Sequence, residues 1–133
     1  RLVYKLETGQ LVDEWSSREM KRLMYMTQKR IRYASHPALN NAAVYFKSGS
    51  LYSCVPEEGF VCGKYRGNKR NLLASLALVE APAKDPQYRY IVVVSSNVLR
   101  VNSAVAHQTL AMRIHRMIQR RHLSPVRCSP DRK

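Results

Sequence analysis

The spacing of apolar positions changes partway along this chain. In the first third, Met20, Leu23, Met24, Thr27 and Ile31 recur at intervals of three and four, which places them on one face of a helix. Ser16 followed by Glu19 reads as a capping box, with Trp15 and Met20 as the matching hydrophobic staple, so the helix is predicted to start at about Ser17. Met20, Met24 and Met26 would make an adaptable binding surface if exposed, but a stripe at this spacing reads as core packing. Pro37 disfavours helical geometry at His36 and so ends or interrupts the helix, which makes His36 a loop residue rather than a ligand. The chain opens inside what reads as a loop or a strand end.

From Ala42 the period shortens. Val44 to Tyr52, Asn71 to Glu80 and Tyr88 to Ser96 each read as a strand. The second and third are near-continuous apolar runs, which predicts burial on both faces. Ala81-Pro82-Ala83-Lys84-Asp85-Pro86-Gln87 punctuates the second and third strands as a hairpin connection, whereas the connection from Ser53 to Lys69 is longer and rich in Gly and charge. The predicted result is a three-stranded antiparallel meander. A last helix over about 103 to 120 carries Ala104, His107, Ala111, Ile114 and Ile118 on one stripe, widened by Leu110 and Met117, and needs a sheet face to cover. His107 on that stripe reads as a hydrogen-bonded core or boundary histidine rather than a catalytic base, and His115 falls on the wetter side. The fold class is therefore α+β, an antiparallel sheet of three strands packed against helices.

Composition adds limits rather than a function. With 133 residues, 45% hydrophobic and 24% charged, the chain has the length and balance for one domain with a core. It starts at Arg1 rather than Met, and the expectation is a piece of a longer protein. Apolar runs such as Leu72 to Val79 are too short to cross a bilayer as helices, so no membrane span is predicted. The net charge of +14, from 23 Lys and Arg against 9 acids, raises a nucleic-acid reading. The basic residues are spread out, with modest clusters over 64–70 and 113–121, and neither a recognition helix nor an array of stacking aromatics accompanies them, so no specific nucleic acid is expected. Residues 122–133, with two Ser-Pro pairs and alternating charge, read as a disordered basic tail. Cys54 and Cys62 flank a hairpin-like turn that would bring the two thiols opposite each other; a disulfide or two ordinary small residues fit equally well. Cys128 has no evident partner. No Cys and His spacing matches a zinc site, and no metal or other cofactor is called for.

The most informative segment is Phe46-Lys47-Ser48-Gly49-Ser50 inside the first strand. Together with the two strands and the amphipathic helix that follow, and with Trp15-Ser16-Ser17-Arg18-Glu19-Met20 before it, it resembles the C-terminal part of the penicillin-recognising serine hydrolases, the class A β-lactamases and their DD-peptidase relatives. The resemblance covers about Trp15 to Arg121, and assigns residues 1–121 to the C-terminal portion of such a domain. It implies that Lys47 sets the electrostatic field of an acyl-transfer site and that the backbone N–H of Ser50 is an oxyanion donor. It also implies that Ser48 reaches the substrate carboxylate through a local twist and that Gly49 leaves room for a substrate lying along the strand. Arg70 falls where class A enzymes place an arginine that assists carboxylate binding, with Arg66 and Lys69 competing for that role.

Several family features are missing. No Ser-x-x-Lys nucleophile occurs, and the Ser-Asp-Asn loop and the glutamate of the omega loop cannot be placed. Ser95-Ser96-Asn97 lies on the wrong element to replace the loop, Glu7 lacks the expected neighbours and receives no role, and the first connection is long enough to narrow a cleft. The expectation is one wall of a serine hydrolase site acting on a β-lactam or peptidoglycan-type amide. Its partners would be an upstream portion that carries the nucleophile and a small-molecule or peptide carboxylate substrate. A catalytically inactive relative that uses the scaffold for binding is the second reading, and a basic nucleic-acid module the third. The resemblance places the protein in the periplasm or outside the cell.

Overall fold

The structure is a computed structural model and describes residues 1–27 and 30–123. The tail over 124–133, including Cys128, lies outside the described residues. Among the described residues, three helices and three strands follow in the order α1 (Leu2–Glu7), α2 (Glu14–Tyr25), β1 (Ala43–Ser53), β2 (Arg70–Ala81), β3 (Tyr88–Ser96) and α3 (Ser103–Leu123), with two 3-10 turns, Arg32–Ser35 and Pro37–Leu39, ahead of β1. The sheet is antiparallel in the order β1-β2-β3, which makes the architecture α+β.

Pairing is continuous from Ala43 opposite Glu80 to Ser53 opposite Arg70, and from Leu73 opposite Ser96 to Ala81 opposite Tyr88. Partners across an antiparallel ladder share a face, so this register sorts every side chain. Val44, Val79 and Tyr90, Phe46, Ala77 and Val92, and Ser48, Ser75 and Val94 form three rows on one face. Val44, Phe46, Ala77 and Val79 there join Tyr33, Leu39 and Ala111 in the core, and Ile114 and Ile118 of α3 pack against it. Among the described residues, the opposite face is covered only at one end, where α2 lies on β1 and α1 on α2. Glu80, almost fully buried there, accepts from Lys21 Nζ at 2.9 Å and from Tyr45 OH at 2.9 Å, and Lys21 also pairs with Glu7 at 2.8 Å. Burial alone would raise the Glu80 carboxyl, but the hydrogen bonds from Lys21 and Tyr45, with the Lys21 and Arg89 charges, hold it below the usual carboxylate range.

That half-covered geometry corrects one expectation. In β2 exposure alternates from Arg70 to Ser75, while Ala77 to Ala81 are buried without interruption. β3 alternates throughout, because it is an edge strand with only α3 over one face. Near-continuous apolar runs therefore do not mean two-sided burial here: Val93 is 72% exposed.

The helices differ from expectation in identifiable ways. Residues 2–7 are helical, not a loop or strand end, and bury Val3 and Leu6. α2 starts three residues earlier than its capping box implies, because Asp13 is the cap: its carboxylate accepts from Ser16 N at 2.7 Å and from Ser16 Oγ at 2.7 Å. Trp15 is then exposed and cannot staple the helix, and α2 stops at Tyr25, so Thr27 and Ile31 never join its stripe. Its inward face is Ser17, Met20, Lys21 and Met24, with Leu23 exposed. His36 behaves as a loop residue whose Nδ1 accepts from Ala38 N at 3.0 Å. On α3, Leu110 and Met117 face solvent rather than the sheet, and His115 is buried rather than wet, its Nδ1 3.1 Å from Tyr90 OH. α3 extends through Leu123, past the predicted end and through the first two residues of the supposed tail.

The connection from 54 to 69 is folded back and tied down. Cys54 and Cys62 form a disulfide with Cα atoms 5.8 Å apart. Asn68 clamps Val55 through both its backbone groups, at 2.9 Å and 2.7 Å. Arg66 Nε donates to Arg100 O at 2.8 Å, and Arg100 pairs with Glu57 at 2.6 Å, which docks the connection onto the segment leading into α3. Gly67 is required by this close approach, since a Cβ there would lie 1.9 Å from Arg70 O. Peptide mapping of natively prepared protein under non-reducing conditions should recover 54 and 62 as one linked peptide. Two free thiols at these positions would argue for a reducing compartment and against the cell-envelope setting that the resemblance implies.

Candidate functional site

Lys47, Leu76 and Val93 form one row of the sheet, and Gly49, Ala74 and Ser95 the next, both on the face turned away from α3. Beyond them Leu51 stands opposite Leu72. α1 and α2 stop short of these rows, so an apolar strip of Leu51, Leu72, Leu76 and Val93 is left exposed or half-exposed with the Lys47 ammonium at its edge. Lys47 Nζ donates to Ser48 O at 3.0 Å and has no carboxylate partner among the described residues.

Gly49 contrasts with Gly67. A Cβ at Gly49 would meet nothing within 4 Å, so the chain's own packing gives no reason for glycine at this position. What a side chain would obstruct is space outside the chain, above an edge strand. The backbone of that edge also has a definite polarity. Ser53 O accepts from Lys69 N at 3.2 Å, on the β2 side, and inward and outward peptide groups alternate along an antiparallel edge strand. With no break in the register, the N–H and C=O of Ser48, Ser50 and Tyr52 turn away from β2 to the free edge.

The candidate residues are therefore not all together. Lys47 and Gly49 share the open face, the Ser50 amide lies beside them at the edge, and Ser48 stands on the other face opposite Ser75. Arg70 shares the open face with Lys47 but pairs with Ser53, six positions along β1, or roughly 20 Å at strand rise. Arg66 is committed to Arg100 O and packs its guanidinium 4.9 Å from the Phe60 ring centroid. Neither arginine stands next to Lys47, because β1 and β2 keep pairing to their last residues and carry the head of β2 away from the Lys-Ser-Gly segment. Ser95 and Ser96 end β3 on opposite faces, and Ser96 Oγ is 2.9 Å from His107 Nε2.

His107 is the buried, hydrogen-bonded histidine that its place on the α3 stripe predicts, although its partners could not be read from the sequence, and buried Arg32 had no signal there at all. Ser75 Oγ and Ser96 Oγ flank His107, at 2.9 Å from Nδ1 and Nε2 respectively, so this buried imidazole is fully hydrogen-bonded. Arg32 is buried with its guanidinium 4.8 Å from the Tyr65 ring centroid, and its Nε and Nη1 have no hydrogen-bond partner among the described residues. A positive φ of 54° at Arg32 turns it inward, which spacing along the chain does not reveal. Among the described residues, no three His, Cys, Asp or Glu side chains come together as a metal site, and no helix is long and apolar enough to cross a membrane. Comparison with protein-family models, with curated proteins and with solved structures finds no match to this chain.

Proposed function

We propose that this chain forms the Lys-Ser-Gly wall of a β-lactamase-like serine hydrolase site, with the nucleophilic serine supplied by an upstream portion of the same protein. The observation that carries this reading is the free edge of β1, where Lys47 and Gly49 share the open face beside the outward Ser50 amide and a Cβ at Gly49 would meet nothing within 4 Å among the described residues. Acyl transfer needs a donor aimed at the developing oxyanion and a cation near the attacking hydroxyl. The Ser50 N–H is suited to the first task and the Lys47 ammonium to the second. A β-lactam or a peptide would lie along the edge of β1, Gly49 would admit it, and Ser48 would meet its carboxylate after a local twist. The exposed strip from Leu51 to Val93 is the surface on which the nucleophile-bearing portion would pack. Arg70 is proposed only as a contact for a carboxylate at the far end of the strip.

The isolated chain should form no covalent adduct with a penicillin, since it can stabilise an acyl intermediate but has no activated serine to create one. Mass spectrometry after incubation with a fluorescent penicillin reads this directly. A stoichiometric acyl-serine within residues 1–133 would overturn the division of labour. Failure of the completed protein to acylate would favour the second reading, a scaffold kept for binding, to which the docked and disulfide-closed connection over 54–69 lends support.

A further inference from the structure

We infer that the outer face of α3 is a docking surface for an anionic lipid bilayer. The helix carries Arg113, Arg116, Arg120 and Arg121 and no Asp or Glu over its whole length. Its inward face is taken by His107, Ala111 and His115, which are buried against the sheet and the 3-10 turns. Ala106, Arg113 and Arg120, spaced by seven residues, therefore run along the outside, with Arg116 and Arg121 on the two flanks. All four arginines are exposed, and none joins an ion pair among the described residues, whose ion pairs use Arg18, Lys21, Arg22, Arg89 and Arg100 instead.

What selects a bilayer over a nucleic acid is the apolar part of the same face. Leu110 and Met117, 38% and 53% exposed, alternate with the arginines, and Leu123 is exposed at the end of the helix. Duplex phosphates offer nothing to Leu and Met, and α3 has no Phe, Tyr or Trp to stack on bases. A headgroup layer uses both kinds of side chain: arginine pairs with lipid phosphates while its aliphatic stem and the neighbouring Leu and Met enter the acyl boundary. The helix would lie flat on the membrane, and the open face of the sheet, on the far side from α3, would be turned away from it. The inference rests on α3 alone and stands or falls independently of the acyl-transfer reading.

The test is sedimentation of the whole chain with vesicles of phosphatidylcholine, with and without about one-third phosphatidylglycerol. Binding is expected to the anionic vesicles only. A basic residue near such a surface contributes about fivefold, so Arg113→Gln/Arg116→Gln/Arg120→Gln should lower partitioning about 10²-fold. The exposed triple Arg18→Gln/Lys64→Gln/Lys84→Gln, of equal net charge, should change it by no more than a few-fold. Leu110→Gln/Met117→Gln should weaken vesicle binding several-fold and leave binding to a DNA duplex unchanged. All these side chains face solvent, and the single changes Arg113→Gln and Arg120→Gln carry the same test if a triple loses its fold by circular dichroism. Equal loss from the two triples would overturn the inference, because net charge alone would then explain binding. No loss from Leu110→Gln/Met117→Gln would also overturn it, in favour of a general polyanion surface.

Discussion

On the proposed acyl-transfer function, Lys47→Ala is expected to lower the rate of acylation by a β-lactam about 10²-fold or more once an upstream portion supplies the nucleophile, with little change in the stability of this chain. Both halves of the expectation follow from where the side chain lies. Lys47 is exposed on the open face and its one hydrogen bond among the described residues is to its neighbour's carbonyl, so truncation removes no buried contact and leaves no buried group unpaired. The same position puts the Lys47 ammonium, without a carboxylate partner among the described residues, near the Ser50 amide, where in the proposed site its charge would act on a developing oxyanion once the second wall closes over it. Urea denaturation of the isolated variant and stopped-flow acylation of the complete one separate the two effects. Unchanged acylation in a well-folded variant would remove Lys47 from the mechanism. A large loss of stability would instead make it a structural residue.

The strands were legible in the sequence and their burial was not. Val44 and Phe46 alternate with polar or exposed positions, and the Pro-rich segment over 81–87 marks the second turn, so Ala43–Ser53, Arg70–Ala81 and Tyr88–Ser96 come within a residue or so of their predicted bounds. Periodicity reports which side chains share a face, but not whether anything covers that face. That is why Val93 reads as core and is exposed, and why Leu110 and Met117 read as part of the α3 stripe and meet solvent. The cap of α2 failed for a related reason. Ser16 and Asp13 both offer an oxygen, and the carboxylate satisfies both the Ser16 amide and its hydroxyl, which no spacing rule weighs. In the candidate site, the Lys-Ser-Gly segment could be placed on an edge because its context is local. Arg70 could not be placed relative to it, since the distance depends on how far β1 and β2 keep pairing before the turn, and the long Gly-rich connection leaves that open. Buried Arg32 depends on a single left-handed residue and the ring of Tyr65, a contact between distant segments that leaves no periodic trace.

Stability should fall as the pH drops below the ordinary histidine value of 6.5, and His107 and His115 should account for most of the fall down to the carboxylate range. Burial lowers the pKa of both, and for His107 the Arg32 charge adds to it. Both imidazoles face hydrogen-bond partners that carry no charge. His107 lies between the Ser75 and Ser96 hydroxyls, and His115 meets Tyr90 OH. Among the described residues, neither has a carboxylate within hydrogen-bond reach to stabilise its protonated form. In the folded chain both therefore stay neutral at a pH where the unfolded chain binds a proton at each. The unfolded state then holds more protons, so the stabilisation is complete above 6.5 and is lost as the pH falls from there through the lowered folded values. Each histidine sets a slope of at most about 1.4 kcal/mol per pH unit, or about tenfold in the folding equilibrium. Urea denaturation at closely spaced pH values should show that slope, and His107→Gln/His115→Gln, which keeps polar groups facing Ser75, Ser96 and Tyr90, should flatten it while costing some stability at neutral pH. Glu80, whose carboxyl is held low by Lys21 and Tyr45, adds a separate loss only at more acid pH, so the two contributions separate on the pH axis. A slope that persists in the double variant would assign the transition to groups other than these two histidines.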